Sequence, residues 1–153
     1  MTIEELKQLV CNTIDKNSDK LISFAKDLEK CPELGFKEER TSEKVCQFFK
    51  ELNLPYRNKL AITGVKAKLK ENSSGPNVAI LGELDGVICF DSPKANKETG
   101  ASHTCGHNLQ ITTMLGAALG LKLSGIEDKL AGNVTFMGVP AEEYIEIEYR
   151  QKL

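Results

Sequence analysis

Histidine is scarce in this chain, with only His103 and His107 among 153 residues, and no Cys-X-X-Cys pair occurs. The lack of that pair leaves a thiol redox role with nothing behind it but the cysteine count. Long apolar runs are missing as well: none approaches the ~20 residues of a membrane-spanning helix. The start, Met1-Thr2-Ile3-Glu4-Glu5, has neither the basic opening nor the apolar centre of a secretory leader, so a cytoplasmic protein is expected. Nor is there an excess of basic charge. Twenty basic and 22 acidic side chains give a formal net charge of -2 and are spread along the sequence. No face is therefore prepared for a phosphate backbone or an anionic lipid, and neither nucleic acid nor membrane is an expected partner. The five cysteines (Cys11, Cys31, Cys46, Cys89, Cys105) are odd in number and irregularly spaced, which argues against a disulfide framework and fits a reducing compartment. Internal repeats and low-complexity segments are absent.

What is present suits one domain with a real core, since 41% of the residues are hydrophobic. Thr2 and Glu5 form a capping box, and Ile3, Leu6, Val10, Ile14, Leu21, Ala25 and Leu28 follow at helical spacing, predicting one long first helix that ends before Pro32. A second helix is expected from about Thr41 to Leu52, with Val45, Phe48, Phe49 and Leu52 inward. Ala61 to Leu69 reads as a half-exposed strand, and Glu71 to Pro76 as a turn. Val78-Ala79-Ile80-Leu81 is a continuous apolar run of the kind covered on both sheet faces, and it leads into Gly82-Glu83-Leu84-Asp85. A polar connection from Phe90 to Ser102 precedes a helix from near Leu109 to Leu123, with Ile111, Leu115, Ala118 and Leu119 on its core side. Gly125 is placed to stop that helix, while Gly116 and Gly120 suggest close approach to a neighbouring backbone. Gly132 to Val139 is a further strand, ending in Pro140-Ala141-Glu142-Glu143. This order predicts a layered α/β domain whose site lies beyond the carboxyl ends of the strands.

Three constellations could carry chemistry. Cys105-Gly106-His107 puts a thiolate donor two residues from an imidazole, a bidentate hook for zinc or a similar divalent metal. Residues two apart do not share a helix face, so the pair chelates only from a loop ahead of the helix, and Gly106 favours that bend. The same residues also read as a structural cysteine beside a helix-capping histidine. Glu142-Glu143, adjacent in an extended segment, point in different directions, so one can hold a metal while its neighbour faces water. Continued through Glu146 and Glu148, they also read as a solvated acidic run. Asp85, two residues after Glu83, is a carboxylate that orients a ligand histidine, a direct ligand, or a turn aspartate.

The ordered set Cys31-Pro32-Glu33-Leu34-Gly35-Phe36, Ile62-Thr63-Gly64-Val65, Glu83-Leu84-Asp85, His103-Thr104-Cys105-Gly106-His107-Asn108 and Val139-Pro140-Ala141-Glu142-Glu143 resembles the amidohydrolase branch of the dinuclear zinc peptidases. That branch includes hippurate hydrolase, aminobenzoyl-glutamate hydrolase and the indole-acetyl-amino-acid hydrolases. The resemblance implies the amino-terminal portion of a three-layer α/β/α catalytic domain over residues 1–153. It implies hydrolysis of N-acyl amino acids or related small amides, with zinc, or alternatively manganese, as the divalent metal. Cys105, His107 and Glu143 would be the metal ligands, Glu142 the general base and acid, and Asp85 the orienting carboxylate.

Two departures stand out. Gln110 occupies a position where many relatives carry another histidine. Family members are also more than twice this length, with two further ligand histidines and a lid or dimerisation domain downstream, so an incomplete chain is expected, and whether it is active is left open. Three ligands could still hold one ion with an open position. The alternative is a non-enzymatic metal-binding or interaction fragment, forming a homo-oligomer or joining a full-length relative through uncovered edges of the Gly132–Val139 strand.

Overall fold

A computed structural model describes residues 1–71 and 73–143. Glu146 and Glu148, the continuation of the acidic run, lie outside the described residues. Helix α1 spans Ile3–Asp15 and opens with the predicted capping box: the Thr2 hydroxyl accepts from Glu5 N at 3.2 Å, and Thr2 N donates to Glu5 Oε2 at 2.7 Å. The expected single long helix breaks there. Helix α2 runs separately over Ser18–Lys30, because Asn17 turns its side-chain amide back onto the Thr13 carbonyl at 2.8 Å and so competes with continued helix bonding. Both helices pack on α4 (His107–Leu123). There Gly120 and Gly116 admit side chains rather than a neighbouring backbone: a Cβ at Gly120 would stand 2.7 Å from Ile14, and one at Gly116 3.4 Å from Leu21.

Helix α3 (Glu39–Glu51) is capped from outside. The Glu33 carboxylate accepts from Arg40 N at 3.0 Å and from Thr41 N and Oγ1 at 2.7 Å each, satisfying donors that the first turn leaves open. Strand β1 (Tyr56–Leu60) was not foreseen, since its sequence, Tyr-Arg-Asn-Lys-Leu, is almost wholly exposed and has no apolar alternation. Strand β2 (Gly64–Lys70) starts later than expected because Ala61 and Ile62 take left-handed turn conformations at φ 44° and 82°.

Strands β3 (Asn77–Glu83) and β6 (Asn133–Val139) pair in parallel, β6 pairs antiparallel with β2, and β2 with β1, giving the order β1-β2-β6-β3. Two short strands, β4 (Val87–Ile88) and β5 (Ala101–Ser102), form a separate ribbon. Val65, Ala67 and Phe136 face a single core made with Leu28, Val45, Phe49, Ile111, Leu115 and Leu119. The other sheet face carries Lys66, Lys68, Met137 and Leu81, and no helix covers it among the described residues.

Two expectations are corrected here. The Val78–Leu81 run is not covered on both faces: Val78 is 51% and Leu81 52% exposed, because β3 is the outer strand of the described sheet. Among the described residues the open edges accordingly belong to β1 and β3, whereas strand β6 is paired on both sides.

Candidate metal centre

Because β3 and β6 run parallel and in register, with Glu83 opposite Val139, both deliver their carboxyl ends to one edge of the sheet. Leu84 N donates to the Val139 carbonyl at 2.8 Å, so Asp85 and the Pro140–Glu143 segment leave side by side. Gly86 N donates to the Glu33 carbonyl at 2.8 Å and ties the Cys31–Phe36 segment to the same edge. Helix α4 arrives with its first turn there, since Gly82 lies directly beneath the Ile111 backbone. The helix begins at His107, two residues before the expected start. Cys105 and Gly106 remain in the preceding loop, and Gly106 takes φ 91°, a conformation open to glycine at little cost. The hook is thus built from a bend, as the two-residue spacing requires.

His107 is the hub. Its Nδ1 lies 2.9 Å from the Asp85 carbonyl oxygen and 3.2 Å from Asp85 Oδ1, which leaves Nε2 to face the opening. Around Nε2 stand Glu83 Oε2 at 3.0 Å, Glu143 Oε1 at 3.6 Å and Glu142 Oε2 at 3.8 Å. The ligand atoms of Cys105, His107 and Glu143 all lie within 4.8 Å of one another, and so do those of Glu83, His107 and Glu142. The two groups share one imidazole nitrogen, so the described residues outline one cation site with alternative carboxylates. Asp85 and His107 are buried, with side chains 1% and 5% exposed, while the Glu142 side chain is 47% exposed. Asp85 also accepts the Glu143 backbone N–H on Oδ2 at 3.1 Å.

The charges follow from this packing. Burial by itself would lower the His107 pKa, but the Asp85 bonds and the Asp85 and Glu83 charges outweigh it and lift it to about 9. Burial would raise Asp85; the His107 hydrogen bond and the Glu143 N–H more than offset this and hold the carboxyl below its usual range. Desolvation pushes the Cys105 thiol up, with the Glu143 and Asp85 charges adding to it, although the residue keeps an exposed surface. A concentration of negative charge around a protonated imidazole and a neutral thiol is what a cation would relieve. A thiolate, an imidazole and a carboxylate suit a borderline-soft divalent ion, and the residues present fit one. An open cleft of about 940 Å³ beside α3 and β1, lined by Arg40, Lys44, Tyr56 and Thr63 among others, contains none of these groups.

No family model matches the chain. Individual proteins do. N-acetylcysteine deacetylase of Bacillus subtilis is 33% identical over 132 residues, 81% of this chain and 33% of that protein. N-acyl-L-amino acid amidohydrolase of Geobacillus stearothermophilus is 33% identical over 149 residues, 94% of this chain and 38% of the relative. Among solved structures, the YxeP protein of Bacillus subtilis, described as a dinuclear metal binding peptidase from the M20 family, matches with a TM-score of 0.69 at 32% identity, covering 82% of this chain and 35% of its own. Over this stretch the chain is a homologue of amidohydrolases among the dinuclear metal peptidases. It spans about a third of the length of the relatives it matches. The α/β class expected for this branch is the one found, as a partial domain.

In this chain the structure brings together all five residues singled out from sequence: Cys105, His107, Glu142, Glu143 and Asp85. Sequence reasoning missed Glu83 as a direct neighbour of Nε2. Its signal was available, since alternate residues of a strand share a face and Glu83 and Asp85 are two apart. Gln110 is also accounted for: its Oε1 accepts from Glu83 N at 3.3 Å, joining α4 to the end of β3.

Proposed function

We propose that residues 1–153 supply the amino-terminal part of a cytoplasmic catalytic domain whose reaction is metal-dependent hydrolysis of N-acyl amino acids or related small amides. The observation that supports this most strongly is the convergence of Cys105 Sγ, the His107 imidazole and a Glu143 oxygen within 4.8 Å beside the partly exposed Glu142. Cys105, His107 and Glu143 would hold the cation, with zinc favoured by the thiolate and imidazole donors and manganese the alternative. When bound, such an ion supplies Lewis acidity that polarises an amide carbonyl and acidifies water. Asp85 holds the Nδ1 side of His107 and keeps Nε2 directed at the opening. Glu142 takes a proton from the attacking water and delivers it to the amide nitrogen as the C–N bond breaks, giving a carboxylate and a free amine. Association with a second copy or a longer relative would use the edge of β3 that is unpaired among the described residues.

The test is hydrolysis of N-acetyl and N-benzoyl amino acids by the purified chain with zinc or manganese. Turnover that needs metal and disappears in Glu142→Gln supports the enzyme. One observation favours a second reading, a metal-binding piece without turnover: both carboxylate groups depend on the same imidazole, so a second cation has no separate ligand set among the described residues. Stoichiometric metal binding with no hydrolysis of any such amide would select that reading.

A further inference from the structure

Glu38 is a carboxylate with no exposed surface, and although it stands at the N-cap of α3 its side chain does not cap that helix. It turns inward instead. Oε2 accepts the Thr63 hydroxyl at 2.6 Å, and Oε1 accepts the backbone N–H of Ala141, 103 residues away, at 2.8 Å. Burial pushes the Glu38 carboxyl up, and these donors pull the other way. Ala141 is the residue immediately before Glu142, and it sits at φ 50°. A left-handed conformation is strained for a residue bearing a Cβ, so the bend persists only where its surroundings hold it.

The surroundings can be named. Thr63 is itself fixed by Ser42 Oγ, which donates to the Thr63 carbonyl at 2.6 Å. Pro140 closes on the turn before β2, where a Cβ at Gly64 would stand 3.1 Å from Pro140 Cδ. Beyond the bend, Asp85 Oδ2 accepts the Glu143 N–H. The segment carrying Glu142 and Glu143 is therefore suspended between two carboxylates, Glu38 before it and Asp85 after it.

On the reading that Cys105, His107 and Glu143 hold a cation, we infer that Glu38 is a positioning residue for Glu142 and Glu143. Through Oε1 and the Ala141 N–H it fixes the bend that presents one carboxylate to the cation and the other to the reacting water. A role confined to stability would instead weigh its two hydrogen bonds alike.

That difference is testable by titrating the folded chain with Co²⁺ and following thiolate-to-cobalt absorption, which reports capture at Cys105. Glu38→Ala should weaken Co²⁺ binding by about 10- to 100-fold, as loss of an outer partner of a ligand does. Glu38→Gln should bind as the wild type does, because its amide oxygen accepts the same N–H while its amide nitrogen donates to Thr63 Oγ1. Thr63→Val, which removes only the other bond, should lower the melting temperature and leave the Co²⁺ affinity unchanged. Wild-type affinity in folded Glu38→Ala, or an equal loss in Thr63→Val, overturns the inference. If Glu38→Ala does not fold, hydrogen exchange at the Ala141 amide of the wild type carries the test: protection supports the bond, and exchange at an unprotected rate overturns it. A wild-type chain that takes up no Co²⁺, or a Glu143→Gln chain that binds it unchanged, sinks the metal-site reading itself and this inference with it.

Discussion

Loading the chain with a divalent cation near neutral pH should release two protons. His107 holds one of them, because the carboxylates around it lift its pKa to about 9. Cys105 holds the other, since its thiol is raised above an already alkaline ordinary value. A metal needs both groups deprotonated. At pH 7 the protonation of His107 alone therefore weakens apparent affinity by about 100-fold, two pH units at about 1.36 kcal/mol each. The logarithm of the apparent binding constant should climb by about two per pH unit from pH 7 to 9 and by about one above it, once His107 is already neutral. Isothermal titration calorimetry in buffers of different ionisation enthalpy counts the protons directly. Release of one proton or none at pH 7, or a slope with no change near pH 9, would refute the assignment of both donors.

Two further outcomes are expected. His103 has both ring nitrogens buried without a hydrogen-bond partner, and burial, followed by the neighbouring His107 charge, lowers its pKa to about 4. Its depressed value means that its share of stability is present above about pH 6.5 and lost as pH falls toward 4, up to about 3 kcal/mol; in urea melts His103→Leu should show a smaller acid loss than the wild type, and an identical profile would contradict this. Gly82→Ala would set a Cβ 2.9 Å from the Ile111 backbone and push α4 off β3. A loss of about 1–3 kcal/mol together with weaker metal binding is expected, and a thermal melt and Co²⁺ titration matching the wild type would count against the close contact.

Much of this was legible where local chemistry and burial agree. The Thr2–Glu5 box, the buried Ile111, Leu115, Ala118 and Leu119 of α4, and the Cys105–His107 bend all follow from spacing and from a residue's own preferences. The misses share a cause. Strand β1 is held by pairing with β2 rather than by apolar alternation, so Tyr56–Leu60 carries no pattern. Val78 and Leu81 look like a doubly covered strand because an apolar run encodes hydrophobicity and not what lies against it. The break at Asn17 depends on one side-chain amide, within a stripe that otherwise continues through it. Glu38 drew no reading from sequence, because only the fold brings Thr63 and Ala141 to it.

X-ray absorption of the zinc-loaded chain tests the central claim most directly. One sulfur at about 2.3 Å with the remaining ligands nitrogen or oxygen at about 2.0–2.1 Å is the predicted shell, and the sulfur should vanish in Cys105→Ser. A shell without sulfur, or one unchanged by that substitution, would contradict a cation held between Cys105, His107 and Glu143.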